Sequence, residues 1–185
     1  MSAKNIAEAN DHMAKAVAAL AHEFSGVRTG RASGSLLEKI SIEYYGTPTP
    51  LLQIASVSVP EPQLLVITPY DKTAMGAIEK AILASDLGLN PANDGQVIRL
   101  PFPPLTEERR KDLVKLCRHY AEESRIAIRN IRRDVNDHLK RSEKEGEISE
   151  DDLRRMEAEV QKATDAHIKE IDEMIKHKEQ EIMEV

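Results

Sequence analysis

The feature that most limits the fold is a recurrence of apolar residues at alternating steps of three and four in three separate stretches. This spacing keeps the apolar side chains on one side of an α-helix, where they can pack against another helix. The sequence therefore predicts three long helices packed as a coiled-coil-like bundle. The predicted contact positions are Ile6, Met13, Val17, Leu20, Phe24 and Val27 in the first helix, Leu113, Cys117, Tyr120, Ser124, Ile128, Ile131, Val135 and Leu139 in the second, and Leu153, Met156, Val160, His167, Ile171, Met174 and Ile182 in the third.

Residues typical of helix ends bound the second and third helices. Thr106 can cap the start of the second helix by accepting a backbone hydrogen bond, and Gly146 can end it. Ser149, followed by Asp152 three positions later, has the capping-box pattern of a new helix. At about 1.5 Å per residue, these two helices would each extend on the order of 50–60 Å. The low aromatic content, 3% with no Trp, suits such long helices better than a thick core.

Residues 31–104 have a different pattern, and they predict a small domain inserted between the first and second helices. "EKISIEYYG" alternates apolar and polar residues up to a Gly-Thr-Pro turn, which indicates a strand. "QIASVSV", "LLVIT" and "QVIRL" are further strand candidates. Between them, Asp71 can cap a helix that we expect to stop at Gly88.

The predicted fold is therefore α+β with two domains, namely a bundle of residues 1–30 and 105–185 and an inserted domain of residues 31–104. Two linkers, residues 29–35 and 100–106, join the domains, and two adjacent chain crossings allow a hinge. The predicted hinge residues are Gly30, Ala32, Ser33, Gly34, Pro103, Pro104 and Leu105.

Signals for catalysis, cofactors and membranes are weak. The six histidines lack metal-ligand spacing, and Cys117 lies in an apolar row, where a buried and unreactive thiol is expected. A single cysteine forms no intrachain disulfide. No run approaches the roughly 20 apolar residues that span a bilayer, and the N-terminus is too polar for a secretory signal. We expect a cytoplasmic, monomeric protein that is no enzyme and needs no cofactor or metal.

The net charge of −6 hides a separation of charge along the chain. Residues 105–141 carry eleven Lys or Arg against seven Asp or Glu, whereas residues 142–185 carry seven against fifteen. A basic segment beside an acidic one can present two different faces, so the acidic balance does not exclude a nucleic-acid partner.

Helical geometry gathers the basic residues of the second helix into one stripe, called here the basic stripe. With Arg118 as the reference, Arg132 and Arg133 flank it at about −40° and +60°. The apolar row lies roughly 120° away, and Glu122 is the main carboxylate that interrupts the stripe. The other members, within roughly 40° of Arg118, are Lys111, Arg125, Arg129, Asn136 and Lys140.

The basic stripe has two interpretations. It is either a solvated helix face whose charges are neutralised by neighbouring carboxylates, or a surface that meets RNA or DNA. The stripe is rich in Arg rather than Lys, and Arg makes bidentate phosphate contacts and stacks on bases. The composition of the stripe favours a nucleic acid.

Six motifs resemble the ribosome recycling factor family in their order and spacing, over essentially the whole chain. The resemblance implies an L-shaped α+β protein, in which an elongated three-helix bundle carries a small inserted β/α/β domain on a hinge. The motifs are "VRTGRAS", "EYYGTPTPL", "ASDLGLNP", "PPLTEERRKDL", "RNIRRDVND" and "EISEDD".

The resemblance also implies a function and its residues. Family members bind the post-termination ribosome, mainly through large-subunit RNA, and with elongation factor G, which hydrolyses GTP, they split it into subunits. The motifs assign RNA contacts to Arg129, Arg132 and Arg133, joined by Arg28, Arg31 and Arg110. Together with the stripe, the expected RNA-binding residues are Arg28, Arg31, Arg110, Arg118, Arg125, Arg129, Arg132 and Arg133.

Two other classes of function compete with this interpretation. A coiled-coil chaperone or adaptor would bind protein through the apolar rows, without salt-dependent affinity for RNA. A hydrolase in the inserted domain would need a nucleophile and a base, and the sequence offers no such pair.

Overall fold

The computed structural model describes residues 2–184, with side chains from Ile6 onward. It contains the three predicted long helices, and the predicted α+β class is confirmed. In chain order the helices are α1 (Ser2–Ser25), α2 (Leu51–Ile54), α3 (Met75–Ala84), α4 (Glu107–Lys144) and α5 (Glu150–Met183), and the strands are β1 (Ser41–Tyr44), β2 (Thr47–Pro50), β3 (Ala55–Glu61), β4 (Leu64–Pro69), β5 (Ala92–Asn93) and β6 (Ile98–Pro101).

The chain forms two compact units. The first, called here the helical unit, comprises the chain up to Glu23 together with Lys115–Glu179. The second, called here the mixed unit, comprises Phe24–Val114 together with the residues from Gln180 onward. The mixed unit thus includes short ends of the long helices as well as the segment that was predicted to be inserted.

The ends of α4 follow from local hydrogen bonding. At its start, the hydroxyl of Thr106 accepts a hydrogen bond from the backbone N–H of Arg109 at 3.2 Å, as predicted. At its end, Gly146 has a φ of +74°, which a residue without Cβ adopts without strain. The N–H of Glu147 then donates back to the carbonyl of Ser142 at 2.9 Å, which closes the helix.

The start of α5 is the predicted capping box. The hydroxyl of Ser149 accepts a hydrogen bond from the N–H of Asp152 at 3.1 Å and donates one to its carboxylate at 2.9 Å. Acidic residues fill the first turn of α5, where the helix dipole favours negative charge. The two caps leave a short turn between α4 and α5.

The core of the helical unit contains much of the predicted apolar rows, but not all of them. Ala121 and Ile175 are buried although they were not predicted. Several predicted contact positions are only half-buried, namely Tyr120, Ile131, Val135, Leu153, His167 and Met174. Among the buried polar residues of this unit, Thr164 is fully buried, and its hydroxyl donates to the carbonyl of Val160 at 2.8 Å, so no polar atom of its side chain lacks a partner. Asn10, a polar residue that falls between Ile6 and Met13 in the first apolar row, is exposed, and Ala9 is buried beside it. Buried side chains include Met13, Val17, Leu20, Cys117, Ala121, Ile128, Leu139, Met156, Val160, Ile171 and Ile175.

The mixed unit is built on two antiparallel sheets. β1 pairs with β2, and the other sheet has the strand order β3-β4-β6-β5. Helix α3 buries Met75, Ile78 and Ile82, which lie on one side of the helix. They join a core that includes Leu65, Ile67, Ile98, Leu100 and Phe102.

Three sequence predictions for this unit were wrong in detail. The predicted Gly-Thr-Pro turn is confined to Tyr45 and Gly46, and Thr47 already begins strand β2, whose residues Pro48 and Pro50 face Glu43 and Ser41. Prolines fit there because they occupy alternate positions of a two-stranded ribbon, so the intervening residues can pair. The predicted strand "QIASVSV" begins only at Ala55, after the helical turn α2. The two-residue strand β5 was not predicted.

The predicted end of α3 was also wrong. Asp71 does cap the segment, since its carboxylate accepts the N–H of Thr73 at 2.9 Å, but a 3-10 turn precedes α3. The helix ends at Ala84 rather than at Gly88, because Ser85 is extended and its hydroxyl donates back to the carbonyl of Ile82 at 2.6 Å. Such a bond satisfies a terminal carbonyl without a glycine.

Candidate nucleic-acid interface

Helix α4 carries the basic stripe, and much of the stripe lies against α5. The Nε of Arg118 is 2.6 Å from a carboxylate oxygen of Glu179. Arg125 places its Nη2 2.6 Å and its Nε 3.0 Å from one oxygen of Asp172. The angle between the stripe and the apolar row had predicted that the stripe would face away from the neighbouring helices. Arg118 and Arg125 instead contact α5. Arg118 and Arg125 join the edges of two helices.

Glu122 neutralises the middle of the stripe from within α4. One of its carboxylate oxygens lies 3.0 Å from Nη1 of Arg129, and the other lies 3.2 Å from Nη1 of Arg125. These hydrogen bonds, first that of Arg129 and then that of Arg125, lower the pKa of Glu122 below its usual value. The interruption predicted at Glu122 is thus an ion-paired cluster, in which a carboxylate of the same helix offsets charge on both Arg125 and Arg129.

Arg132 and Arg133 are less neutralised. Arg132 is half-buried, and its Nη1 donates to the side-chain oxygen of Gln161 at 3.2 Å, which is a neutral partner. The side chain of Arg133 is 67% exposed, and its Nε lies 4.0 Å from the carboxylate of Asp134, itself well exposed. Because an exposed pair at that distance contributes little, the charge of Arg133 is available to a partner. This stretch of α4 is the most available positive charge of the stripe.

Arg28 and Arg110 lie in the mixed unit, and each contacts backbone. Arg28 donates to the carbonyl of Pro103, and its guanidinium carbon lies 5.8 Å from the centre of the Phe102 ring. Burial, and secondly the charge of Arg109, lowers the pKa of Arg28. Arg110 donates to the carbonyl of Met183 at 3.5 Å, near the end of α5. The Nε atoms of both arginines are buried and have no hydrogen-bond partner among the described residues.

Arg31 and the predicted hinge residues occupy two ordered segments of the mixed unit. Arg31 is exposed, and its backbone N–H donates to the hydroxyl of Thr29 at 3.4 Å. The N–H of Ala32 donates to the carbonyl of Pro62 at 2.8 Å, which ties the first linker to the β3–β4 loop. Ser33 caps the 3-10 turn Gly34–Leu37. Of the remaining predicted hinge residues, Gly30 is half-buried, Pro103 and Pro104 are exposed, and Leu105 is buried.

Cys117 and His167, two side chains of the predicted apolar rows, both have their surroundings defined in the helical unit. Cys117 is fully buried, and burial raises the pKa of its thiol to about 11, so it is protonated near neutral pH. The Nδ1 of His167 lies 2.7 Å from the carbonyl of Ala163, as expected of a satisfied bundle histidine. Within residues 2–184, no three His, Cys, Asp or Glu side chains are grouped to hold a metal ion. None of the described helices is long and apolar enough to cross a membrane.

Sequence reasoning missed the partners on α5. Glu179, Asp172 and Gln161 orient three of the predicted arginines. The two acids were counted only in the charge of the last segment, and Gln161 was not singled out. A signal was present, because the interval from Arg118 to Arg125 equals that from Asp172 to Glu179. Two antiparallel helices bring such evenly spaced opposite charges together.

Comparison with known proteins gives a consistent family. The family model described as ribosome recycling factor matches residues 20–183. The ribosome-recycling factors of Bacillus thuringiensis (strain Al Hakam) and Bacillus cereus (strain AH187) are each 58% identical to this chain over 185 residues, covering 100% of both sequences.

Solved structures agree with this family. A solution structure of the ribosome recycling factor matches with a TM-score of 0.82 at 44% identity, covering 100% of this chain and 98% of that one. The T. thermophilus ribosome recycling factor, from models with the E. coli elongation factor G bound to the E. coli post-termination complex, matches with a TM-score of 0.71 at 51% identity, covering 100% of both chains.

These findings define the class first: the chain is an α+β translation factor whose basic side chains line one long helix of a bundle. It belongs to the ribosome recycling factor family. The resemblance predicted from the six sequence motifs is confirmed.

Proposed function

We propose that the protein binds the post-termination ribosome and, with elongation factor G and GTP, promotes its dissociation into subunits and its release from mRNA. The observation that carries the proposal is full-length similarity to proteins named ribosome-recycling factor. A structural relative described together with elongation factor G on the post-termination complex supports both partners. In this role the chain itself performs no catalysis, since GTP hydrolysis belongs to elongation factor G, and it acts in the cytoplasm.

We assign the main RNA contact to Arg129, Arg132 and Arg133. The side chain of Arg129 is 46% exposed and bonded to a carboxylate of its own helix, while Arg132 and Arg133 have a neutral or a distant partner. Glu122 is shared between Arg129 and Arg125, so it offsets only part of the charge of Arg129. Guanidinium groups whose charge is not fully offset suit phosphate oxygens, and such contacts position a protein on RNA without reading its sequence. Arg118 and Arg125 instead serve chiefly to join α4 to α5.

We assign the movement that accompanies splitting to residues 29–35 and 100–106. Both segments contain residues that fix or free the backbone, such as Gly30 and Gly34 in the first and Pro103 and Pro104 in the second. In this proposal the helical unit holds the large subunit, and the action of elongation factor G bends the chain at these two segments, both of which lie within the mixed unit.

The assignment of the RNA contact is tested by co-sedimentation with purified large ribosomal subunits across a salt series. The variant Arg132→Gln/Arg133→Gln removes two charge-assisted contacts, and we expect roughly a 10- to 100-fold loss of affinity. Three phosphate contacts in the unchanged protein predict a log–log salt slope of about −2 to −3. Subunit splitting with elongation factor G and GTP, followed by light scattering, should slow in parallel.

The matched control is Arg154→Gln/Arg155→Gln. It removes the same charge from two adjacent exposed arginines of α5, which pair only with carboxylates of their own helix. We expect its affinity to stay within about twofold of the unchanged protein. Equal losses in the two double variants would show a general effect of charge, and unchanged binding of the α4 variant would refute the assigned contact. Binding without any salt dependence would favour the chaperone or adaptor class.

A further inference from the structure

The ion pairs between α4 and α5 follow one antiparallel register. Arg118 pairs with Glu179, and Arg125, one heptad further along α4, pairs with Asp172, one heptad back along α5. The same register returns at Lys140, whose Nζ lies 3.8 Å from Glu157. A regular ladder of opposite charges therefore runs along the helical unit.

One step of this ladder is different. The register places Asp165 opposite Arg132, but the guanidinium of Arg132 bonds to Gln161 instead. Its Nη1 donates to the Oε1 of Gln161 at 3.2 Å, and the Nε2 of Gln161 donates to the Oδ1 of Asp165 at 2.8 Å. The amide thus stands between the two charges and satisfies one hydrogen bond on each side.

The chemistry of the amide explains why this matters. A carboxylate in direct contact would offset the charge of the guanidinium, as Asp172 does for Arg125. An amide oxygen accepts a hydrogen bond and orients the guanidinium, but it carries no net charge. Arg132 is therefore held in place, while most of its positive charge remains available to an anion.

We propose that Gln161 is a positioning residue that holds Arg132 apart from Asp165 and so keeps its charge available to an RNA phosphate. This inference rests on the proposed function, because it needs Arg132 to meet RNA. The acidic helix α5 would then contribute to RNA binding, because at this step of the ladder an amide rather than a carboxylate contacts the arginine of α4.

Two variants of Gln161 test this inference by co-sedimentation with large ribosomal subunits. Gln161→Glu places a carboxylate directly against Arg132, and we expect about a three- to tenfold loss of affinity. The log–log salt slope should also become less steep, by at most the amount that about one phosphate contact contributes. Gln161→Met removes the amide at similar volume, so that Arg132 can pair with Asp165, and a loss of the same order is expected.

Rescue separates positioning from a structural role. In Gln161→Met/Asp165→Asn the competing carboxylate is absent, and affinity and salt slope should return to those of the unchanged protein or above. Ala166→Glu is the matched charge control: it adds the same charge at an exposed position about 140° around α5, and we expect less than a twofold effect. Far-UV circular dichroism should show all four variants folded.

The outcomes also distinguish the two proposals. If Arg132→Gln/Arg133→Gln binds as well as the unchanged protein, the RNA assignment itself is wrong and this inference falls with it. If that variant loses affinity while Gln161→Glu and Gln161→Met keep both affinity and salt slope, only the role of Gln161 is wrong. If Gln161→Met loses affinity and the double variant Gln161→Met/Asp165→Asn does not regain it, the proposal that the amide separates Arg132 from Asp165 is also wrong.

Discussion

Replacement of Arg125 should lower the stability of the fold, whereas replacement of Arg133 should not. The side chain of Arg125 is only 20% exposed, and two of its nitrogens bond to Asp172 on the neighbouring helix. A hydrogen bond to a charged group contributes about 1.5–3 kcal/mol when buried. Because the side chain of Asp172 is 55% exposed, solvent weakens the pair. For Arg125→Gln we therefore expect a loss of about 1–1.5 kcal/mol, including the packing of the methylene stem.

The same reasoning gives a much smaller effect at Arg133. Its contact to Asp134 spans 4.0 Å between two exposed side chains of one helix, and such pairs contribute about 0–0.5 kcal/mol. Arg133→Gln removes the same charge from the same helix, so it controls for changes in helix propensity and net charge. Under the proposed function, Arg133→Gln should weaken binding to large subunits more than Arg125→Gln does.

Urea unfolding followed by far-UV circular dichroism measures the difference. We expect a lower midpoint at an unchanged m-value for Arg125→Gln, and no shift for Arg133→Gln. A double-mutant cycle with Asp172→Asn should return a coupling of about 0.5–1 kcal/mol for Arg125. Equal stability of the two variants, or a coupling near zero, would refute the division of the stripe into joining and available arginines.

Two further predictions concern glycine and cysteine. Gly76 lies in α3 with nothing within 4 Å of an added Cβ, so Gly76→Ala should stabilise the protein by about 0.5–1 kcal/mol in the same urea assay. Gly46, equally open but at a φ of +76°, is its control, and Gly46→Ala should destabilise by about 1 kcal/mol; the same sign at both positions would contradict this. The thiol of Cys117, whose pKa burial raises to about 11, should react with a disulfide reagent at pH 8 only after unfolding, and rapid native reaction would disprove its burial.

The long helices could be predicted from sequence because their signals are local. The rows of Met13 in α1 and Ile128 in α4 repeat over many turns, and the caps at Thr106 and Ser149 need only neighbouring residues. Strand β2 could not be predicted in this way. Its prolines indicate a turn locally, and only pairing with β1, a tertiary property, makes the segment a strand.

The site was predictable by residue type but not by partner. A helical projection places Arg118, Arg125 and Arg129 on one stripe, yet it treats a single helix as if it were alone. Which arginines are neutralised depends on the register between α4 and α5, and this register is set by how the apolar rows of the two helices pack together, which a projection of α4 alone does not contain. The sequence therefore located the stripe and could not rank its members.

The ladder also explains how an acidic chain can carry the RNA-binding surface proposed above. Salt screens charges over about 8 Å at physiological ionic strength, so a phosphate responds to its local neighbours rather than to the net charge of −6. Carboxylates of α5 offset the charges of Arg118 and Arg125, the two arginines of α4 that join the helices. At Arg132 an amide replaces the carboxylate contact, and at Arg133 the acid lies 4.0 Å away. Among the arginines of the stripe, Arg132 and Arg133 are thus the ones whose charge is least offset by neighbouring carboxylates.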